Sequence, residues 1–216
     1  MFLKRLECSS CRLEHESSRL QNLCRSCNKP LFAIVDLAAA SRTLQRETLR
    51  TRHKSLWRYR EVLPLPGDVE PVSLGEGGTP LLSAQRLADD VDLWVKDESL
   101  NPTHSFKARG MSVAVSMAKH LGATKLAVPS AGNARWRAGR VCRSRRSRSS
   151  HFHAARHAPR EYRGMPPAGR SRYADRRILI TDCATEIARQ KENEGWFDIS
   201  RLKEPISRRG QKDPRL

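Results

Sequence analysis

Residues 135–177 contain fourteen arginines, two acidic residues, and no leucine, isoleucine or lysine. A stretch of that composition has little apolar surface to bury, so it cannot offset the conformational entropy lost on ordering. It is expected to be disordered, and it separates two segments able to contribute to a core, 1–134 and 178–205. The formal net charge of the 216-residue chain, +18, would ordinarily point to nucleic acid or an anionic membrane surface. Twelve of those charges lie in 135–177, whereas 1–134 carry a net of only +5. The basic character is therefore local. No apolar run approaches the roughly 18 residues that a membrane span requires. Met1-Phe2-Leu3-Lys4-Arg5-Leu6-Glu7-Cys8 lacks the apolar core of a signal peptide. A cytoplasmic protein with no membrane partner is the expectation.

The N-terminus carries the clearest spacing. Cys8-Ser9-Ser10-Cys11 and Cys24-Arg25-Ser26-Cys27 are two CxxC pairs. Each lets two thiolates face one ion from a tight knuckle, and two knuckles complete a tetrahedral structural zinc site. Disulfides or vestigial thiols are the alternatives. With zinc bound, the metal would supply folding energy on the order of 10 kcal/mol to a ribbon with little core of its own. Cys142 and Cys183 stand alone and carry no signal. Residues 36–60, rich in Leu, Ala and Arg, read as connector and helix, broken by Pro64, Pro66 and Gly67.

From residue 69 to 133 the pattern is α/β. Leu93-Trp94-Val95-Lys96 reads as a strand, and Asn101-Pro102 breaks the polar turn after it. A helix opens near Ser105 with Met111, Val115, Met117 and Leu121 on an apolar face, and Gly122 ends it. Lys125-Leu126-Ala127-Val128-Pro129 is the next strand, and Ser130-Ala131-Gly132-Asn133 turns off its end. The expected unit is βαβ, with both turns on the ligand-binding side of an open sheet. Lys107 then stands beside a helix N-terminus, whose free N–H groups and partial positive charge suit an anion and lower a lysine's pKa. Such an amine is a good nucleophile toward an aldehyde, although most helix lysines are simply solvated.

Four blocks give this segment a family. They are Leu74-Gly75-Glu76-Gly77-Gly78-Thr79-Pro80-Leu81, Trp94-Val95-Lys96-Asp97-Glu98, Asn101-Pro102-Thr103-His104-Ser105-Phe106-Lys107-Ala108-Arg109-Gly110, and Pro129-Ser130-Ala131-Gly132-Asn133-Ala134. In this order they resemble threonine synthase and the other fold-type II pyridoxal-phosphate enzymes. The resemblance implies an α/β chain holding part of that tryptophan synthase beta-like fold, preceded by a zinc-ribbon-like segment. It implies pyridoxal 5′-phosphate held covalently by Lys107, with Asn133 on the cofactor's ring oxygen. It further implies a substrate carboxylate received by the backbone of Ser130, Ala131 and Gly132. The implied reaction converts O-phospho-L-homoserine and water to L-threonine and phosphate, with Lys107 as base and acid. Thr79 is either a further site residue or a loop threonine packing the entrance. His104 stands where the family block has glycine, so a turn needing φ > 0 would be strained there. Full-length relatives are expected to be homo-oligomers. The near alternative is a cysteate or cysteine synthase-like enzyme of the same fold type. The distant one is a basic zinc-ribbon protein binding nucleic acid, which the confinement of charge to 135–177 disfavours; no specific nucleic-acid site is expected.

The family pattern also accounts for the arginines. Arg135-Trp136-Arg137-Ala138-Gly139-Arg140 can be encoded AGG TGG CGC GCT GGC CGC. One base later, that string reads Gly-Gly-Ala-Leu-Ala, the family's continuation. His151-Phe152-His153-Ala154 hides Ile-Phe-Met-Pro in the same way. A disrupted reading frame over 135–177 is expected, against the alternative of a genuine Arg-rich insertion, and His151, His153 and His157 become accidents rather than ligands. The family-like text returns over 178–205 as helix and loop and is lost again over 206–216. The domain reading is therefore 1–35 zinc-ribbon-like, 36–134 front part of the catalytic domain, 135–177 out of frame, 178–205 family-like, 206–216 out of frame. The phosphate loop and the partner of the pyridine nitrogen are expected beyond residue 216. The chain in this form is expected to be an inactive fragment that holds pyridoxal phosphate poorly.

Overall fold

In β1 (Leu3–Cys8), the inward residues Leu3 and Leu6 are three apart, which strict alternation would send to opposite faces. An irregularity in register between Leu3 and Arg5 resolves the conflict, because a bulge resets the parity of the strand. The computed structural model describes residues 2–87, 90–128, 195–200 and 205–206. β1 is the middle strand of an antiparallel three-stranded sheet, between β2 (Glu14–His15) and β3 (Leu31–Val35). Leu6 lies opposite His15 on one side and Ala33 on the other. β3 alternates without interruption, burying Leu31, Ala33 and Val35. Asp36 then caps the short helix α1 (Leu37–Ser41), its carboxylate accepting from Ala39 N at 2.9 Å. A second short helix, α2 (Arg46–Thr51), and a 3₁₀ segment, Leu56–Val62, complete the connector.

The strand pattern at 93–96 is present as β5 (Trp94–Lys96), but its partner is β4 (Leu81–Ser83), antiparallel, in a separate two-stranded sheet. The strand at 125–129 is present as β6 (Leu126–Ala127), and it pairs in parallel with β7 (Phe197–Asp198). Among the described residues the expected βαβ unit is therefore not one sheet. A short antiparallel connection from β4 captures β5 locally, while β6 takes a partner from the segment beyond residue 194. The helix expected in the earlier part of 178–205 lies outside the described residues, as do 135–177 and 207–216.

Helix α3 (Lys107–His120) runs as expected but is not amphipathic in the simple sense. Every residue from Ala108 to Ala118 is buried, the condition of a central helix. Val113 and Met117 join Leu3, Leu6, Cys8, Cys24, Leu31 and Trp57 in one apolar cluster. Met111, Val115 and Ala118 join Val72, Leu126, Val128, Phe197 and Ile199 in another. Between these faces, serines satisfy the backbone of the incoming chain: Ser116 Oγ accepts from Val72 N at 2.9 Å, and Ser112 Oγ donates to Val72 O at 2.7 Å. Gly122, at φ +83°, closes the helix; Gly122 N donates to Lys119 O and Ala123 N to Ala118 O, the paired bonds of a Schellman turn. No helix among the described residues is long and apolar enough to cross a membrane.

Glu76 joins the connector to α3. Its carboxyl, with 1% of the residue exposed, accepts from Trp57 Nε1 (2.7 Å), Ser112 Oγ (2.6 Å) and Leu74 N (2.9 Å), while its own carbonyl accepts from Leu56 N at 2.8 Å. Replacing Glu76 by Ala removes the acceptor of Trp57 Nε1 and of Leu74 N, while Ser112 Oγ keeps Val72 O, and each unmet buried donor costs roughly 1–3 kcal/mol. Glu76→Ala is expected to lower unfolding stability by about 3 kcal/mol or more, measured by denaturant titration of the chain.

Candidate active site

The glycine-rich loop at 74–80 is shaped by close approach to the connector. Gly77 and Gly78 have φ of +97° and +61°, and a Cβ on either would fall on backbone, at Leu56 N and Lys54 O respectively. Immediately after them comes Thr79, 8% exposed. Its hydroxyl donates to Glu98 Oε1 at 2.6 Å and accepts from Arg109 Nη2 at 3.1 Å. Thr79 thus sits in a polar cluster that holds the loop, which accords with the packing alternative for this residue.

Glu98 and Arg109 are the centre of that cluster. Arg109 donates through Nε to Glu98 Oε2 and through Nη2 to Glu98 Oε1, both at 2.8 Å, the two-pronged geometry that matches a guanidinium to a carboxylate. Asn101, 1% exposed, donates to Glu98 Oε2 at 2.9 Å and accepts from Gly77 N at 3.1 Å. Lys96 Nζ donates to Thr79 O. Three of the four sequence blocks are therefore bonded to one another through side chains. In sequence Glu98, Asn101 and Arg109 are letters of those blocks that carry no role of their own. The available signal was an acid and a base eleven residues apart, one at each end of a breaker-rich turn.

Lys107 is the first residue of α3, half-buried, and its amine has no ion-pair partner among the described residues. Arg109, two residues on, anchors this first turn to Glu98. Phe106 at the N-cap offers no capping side chain, but the first N–H groups of the helix are taken up locally, Lys107 N by Ser105 Oγ at 3.4 Å, and Ala108 N by Ser105 O and Arg109 N by Phe106 O at 3.1 Å each. A half-buried primary amine without an ion pair is a group that fits an aldehyde cofactor. The preceding turn is strained where the sequence suggested: His104 has φ +52°, with its N donating to Asn101 O at 2.7 Å. Ser130, Ala131, Gly132 and Asn133 lie outside the described residues.

The four N-terminal cysteines are brought together. Their Sγ atoms all lie within 4.8 Å of one another. Burial opposes ionisation of Cys8, yet the N–H groups of Ser10 and Cys11 and the neighbouring thiols of Cys27 and Cys11 pull it down to about 6. The N–H of Leu13 favours the thiolate of Cys11, but Cys8, burial, Cys27 and Cys24 together push it up to about 12.

Two measurements check this geometry. The paired guanidinium of Arg109 outweighs partial burial and, with Thr79 and Asn101, draws Glu98 down to about 2 from an ordinary 4.5. A depressed carboxylate contributes stability that is complete above its unfolded value and lost as the pH falls through the folded one. The stability of the chain is expected to fall between pH 4.5 and 2, and Glu98→Gln to flatten that slope in denaturation curves taken across the range. His104→Gly, which relieves a left-handed backbone in a bulky residue, is expected to raise stability by about 0.5–1 kcal/mol by the same measurement.

The segment that holds Lys107 has relatives among known proteins. Residues 72–135 match the family described as pyridoxal-phosphate dependent enzyme. The threonine synthase of Methanosarcina acetivorans is 39% identical over 131 residues, covering 59% of this chain and 31% of that protein. The threonine synthase of Methanocaldococcus jannaschii is 37% identical over 129 residues, 58% of this chain and 32% of its own length. That of Mycobacterium leprae is 47% identical over 77 residues, 35% and 21% respectively. The chain spans about a third or less of the length of these relatives. Over residues 72–135 the chain is similar to the pyridoxal-phosphate dependent enzymes, and the curated proteins that it resembles are threonine synthases.

Proposed function

We propose that the chain represents a threonine synthase-like carbon–oxygen lyase built around Lys107, acting on O-phospho-L-homoserine and water to give L-threonine and phosphate. The observation that carries this reading is the placement of Lys107: first residue of a central helix, half-buried, and inside the segment matched to the pyridoxal-phosphate enzymes. Pyridoxal phosphate, when bound, supplies an aldehyde for a lysine amine and a sink for negative charge at a substrate carbon. Lys107 would hold it and then move protons at the substrate. Arg109 and Glu98 fix the helix turn from which Lys107 projects, so the amine is presented from a rigid base. Asn133 is assigned to the cofactor's ring oxygen, and the N–H groups of Ser130, Ala131 and Gly132 to the substrate carboxylate. The four cysteines have a structural rather than catalytic part, as a zinc site. The names of the relatives favour a phosphate leaving group over the sulfur chemistry of a cysteate or cysteine synthase-like enzyme.

Two observations support a disrupted reading frame over 135–177. The family match ends at residue 135, one residue past Ala134, where the alternative frame takes up the family's text. Beyond the arginines, Phe197 and Ile199 return to the core beside Leu126 and Val128, with Phe197 N on Lys125 O and Ile199 N on Ala127 O at 2.9 Å each. Resequencing across codons 134–178 tests this part directly.

The activity is tested on a gene with both frames restored and extended to the relatives' length. Its product is expected to be yellow with pyridoxal phosphate and to release phosphate from O-phosphohomoserine. Lys107→Ala should lose the absorbance and the turnover together. Full activity without Lys107 would show the assignment to be wrong.

A further inference from the structure

The cysteine cluster does not stand apart from the rest of the fold. Cys8 and Cys24 are buried at 0% and 3% exposure in the same apolar cluster as Val113 and Met117 of α3. Cys11 is exposed, and Cys27 packs at the margin. The separations are 3.3 Å for Cys8–Cys27, 3.6 Å for Cys11–Cys24 and 3.5 Å for Cys11–Cys27. Four sulfurs about 2.3 Å from one zinc in a tetrahedron stand about 3.8 Å apart, so these three pairs need to open by a few tenths of an ångström, and the other pairs lie within 4.8 Å. Cys11 approaches both cysteines of the other knuckle, a sharing that suits one central ion rather than two separate bonds. The knuckles are also alike in backbone. Arg12 (φ 62°) and Asn28 (φ 57°) each follow the second cysteine of a pair in the left-handed region, which turns the chain back around the sulfurs.

We propose that Cys8, Cys11, Cys24 and Cys27 bind one zinc ion whose loading holds the core face of helix α3 as well as the ribbon that supplies the ligands. β1, β2 and β3 are six, two and five residues long, and their inward residues have no core of their own: Leu3, Leu6, Leu31 and Ala33 close against Val113, Met117, Leu56 and Trp57. Metal binding that folds such a ribbon is folding energy for whatever it packs upon. Without the ion, the four cysteines and strand β1, which ends at Cys8, lose their tether, and Val113 and Met117 lose the wall that keeps them at 0% and 2% exposure. The opposite face of α3 rests on β6 and β7, which have no cysteine contact in their cluster, so α3 is loosened rather than released. The inference requires no pyridoxal phosphate and stands or falls separately from the enzymatic reading.

The test uses the whole chain. Purified protein is expected to hold one zinc per chain, and cobalt(II) in its place to give the intense thiolate-to-cobalt absorption of a tetrahedral four-sulfur site. Chelation should raise amide hydrogen exchange across residues 111–118 by tenfold or more, and added zinc should restore protection. Cys11→Ser, which alters the exposed ligand and leaves the apolar cluster intact, should weaken zinc retention and reproduce the chelated exchange pattern. Four free thiols with no metal bound would overturn the proposal. So would an unchanged cobalt spectrum in Cys11→Ser, or metal removal that leaves the exchange of α3 as it was.

Discussion

A carboxyl group with almost no exposed surface must find donors or the fold that buries it is penalised by several kcal/mol. Glu76 finds them in three places that the sequence keeps apart: Trp57 in the connector, Leu74 in its own loop, and Ser112 on α3. Its backbone carbonyl adds Leu56. These bonds set the distance between connector, loop and helix, and the glycines at 77 and 78 follow from it, because backbone that close to Leu56 and Lys54 leaves no room for a Cβ. The position of the glycine-rich loop is thus a consequence of one buried acid.

A second polar cluster, built on Glu98 and Arg109, continues from the first through Asn101, which is bonded both to Glu98 and to Gly77. Together the two clusters enclose the turn at 98–106 and fix the start of α3. The amine of Lys107 takes no part in either. Most lysines among the described residues have no ion pair, so the role proposed for Lys107 rests on its place at the start of α3 inside the segment that matches the pyridoxal-phosphate enzymes.

Charge tells a parallel story at the scale of the chain. The described residues pair their ions locally, as in Lys4–Asp36, Arg52–Glu61 and Arg109–Glu98, which suits a domain with a modest net charge. The large excess lies in residues 135–177. On the far side of that stretch Phe197 and Ile199 pack in the core beside Leu126 and Val128.

The sequence by itself determined what short-range pattern can carry: the two CxxC pairs, the strand at 93–96, the helix opening near Ser105 with its end at Gly122, and the strained turn at His104. Each depends on residues within a few positions of one another, where spacing and backbone preference are decisive. The tertiary structure decided the rest. It placed β5 with β4 rather than with β6, because strand partners depend on what is near in space and a short antiparallel connection outcompetes a distant edge. It gave β6 a partner some seventy residues away. It turned an apparently one-faced helix into a central one by packing Ser112 and Ser116, ambiguous letters in sequence, against the backbone of Val72. It joined Cys8 and Cys24 to the core of α3, and it made Glu76, Glu98, Asn101 and Arg109 partners. A polar side chain does not announce in sequence whether it faces water or another residue; only burial, which belongs to the whole fold, settles which of them must be bonded.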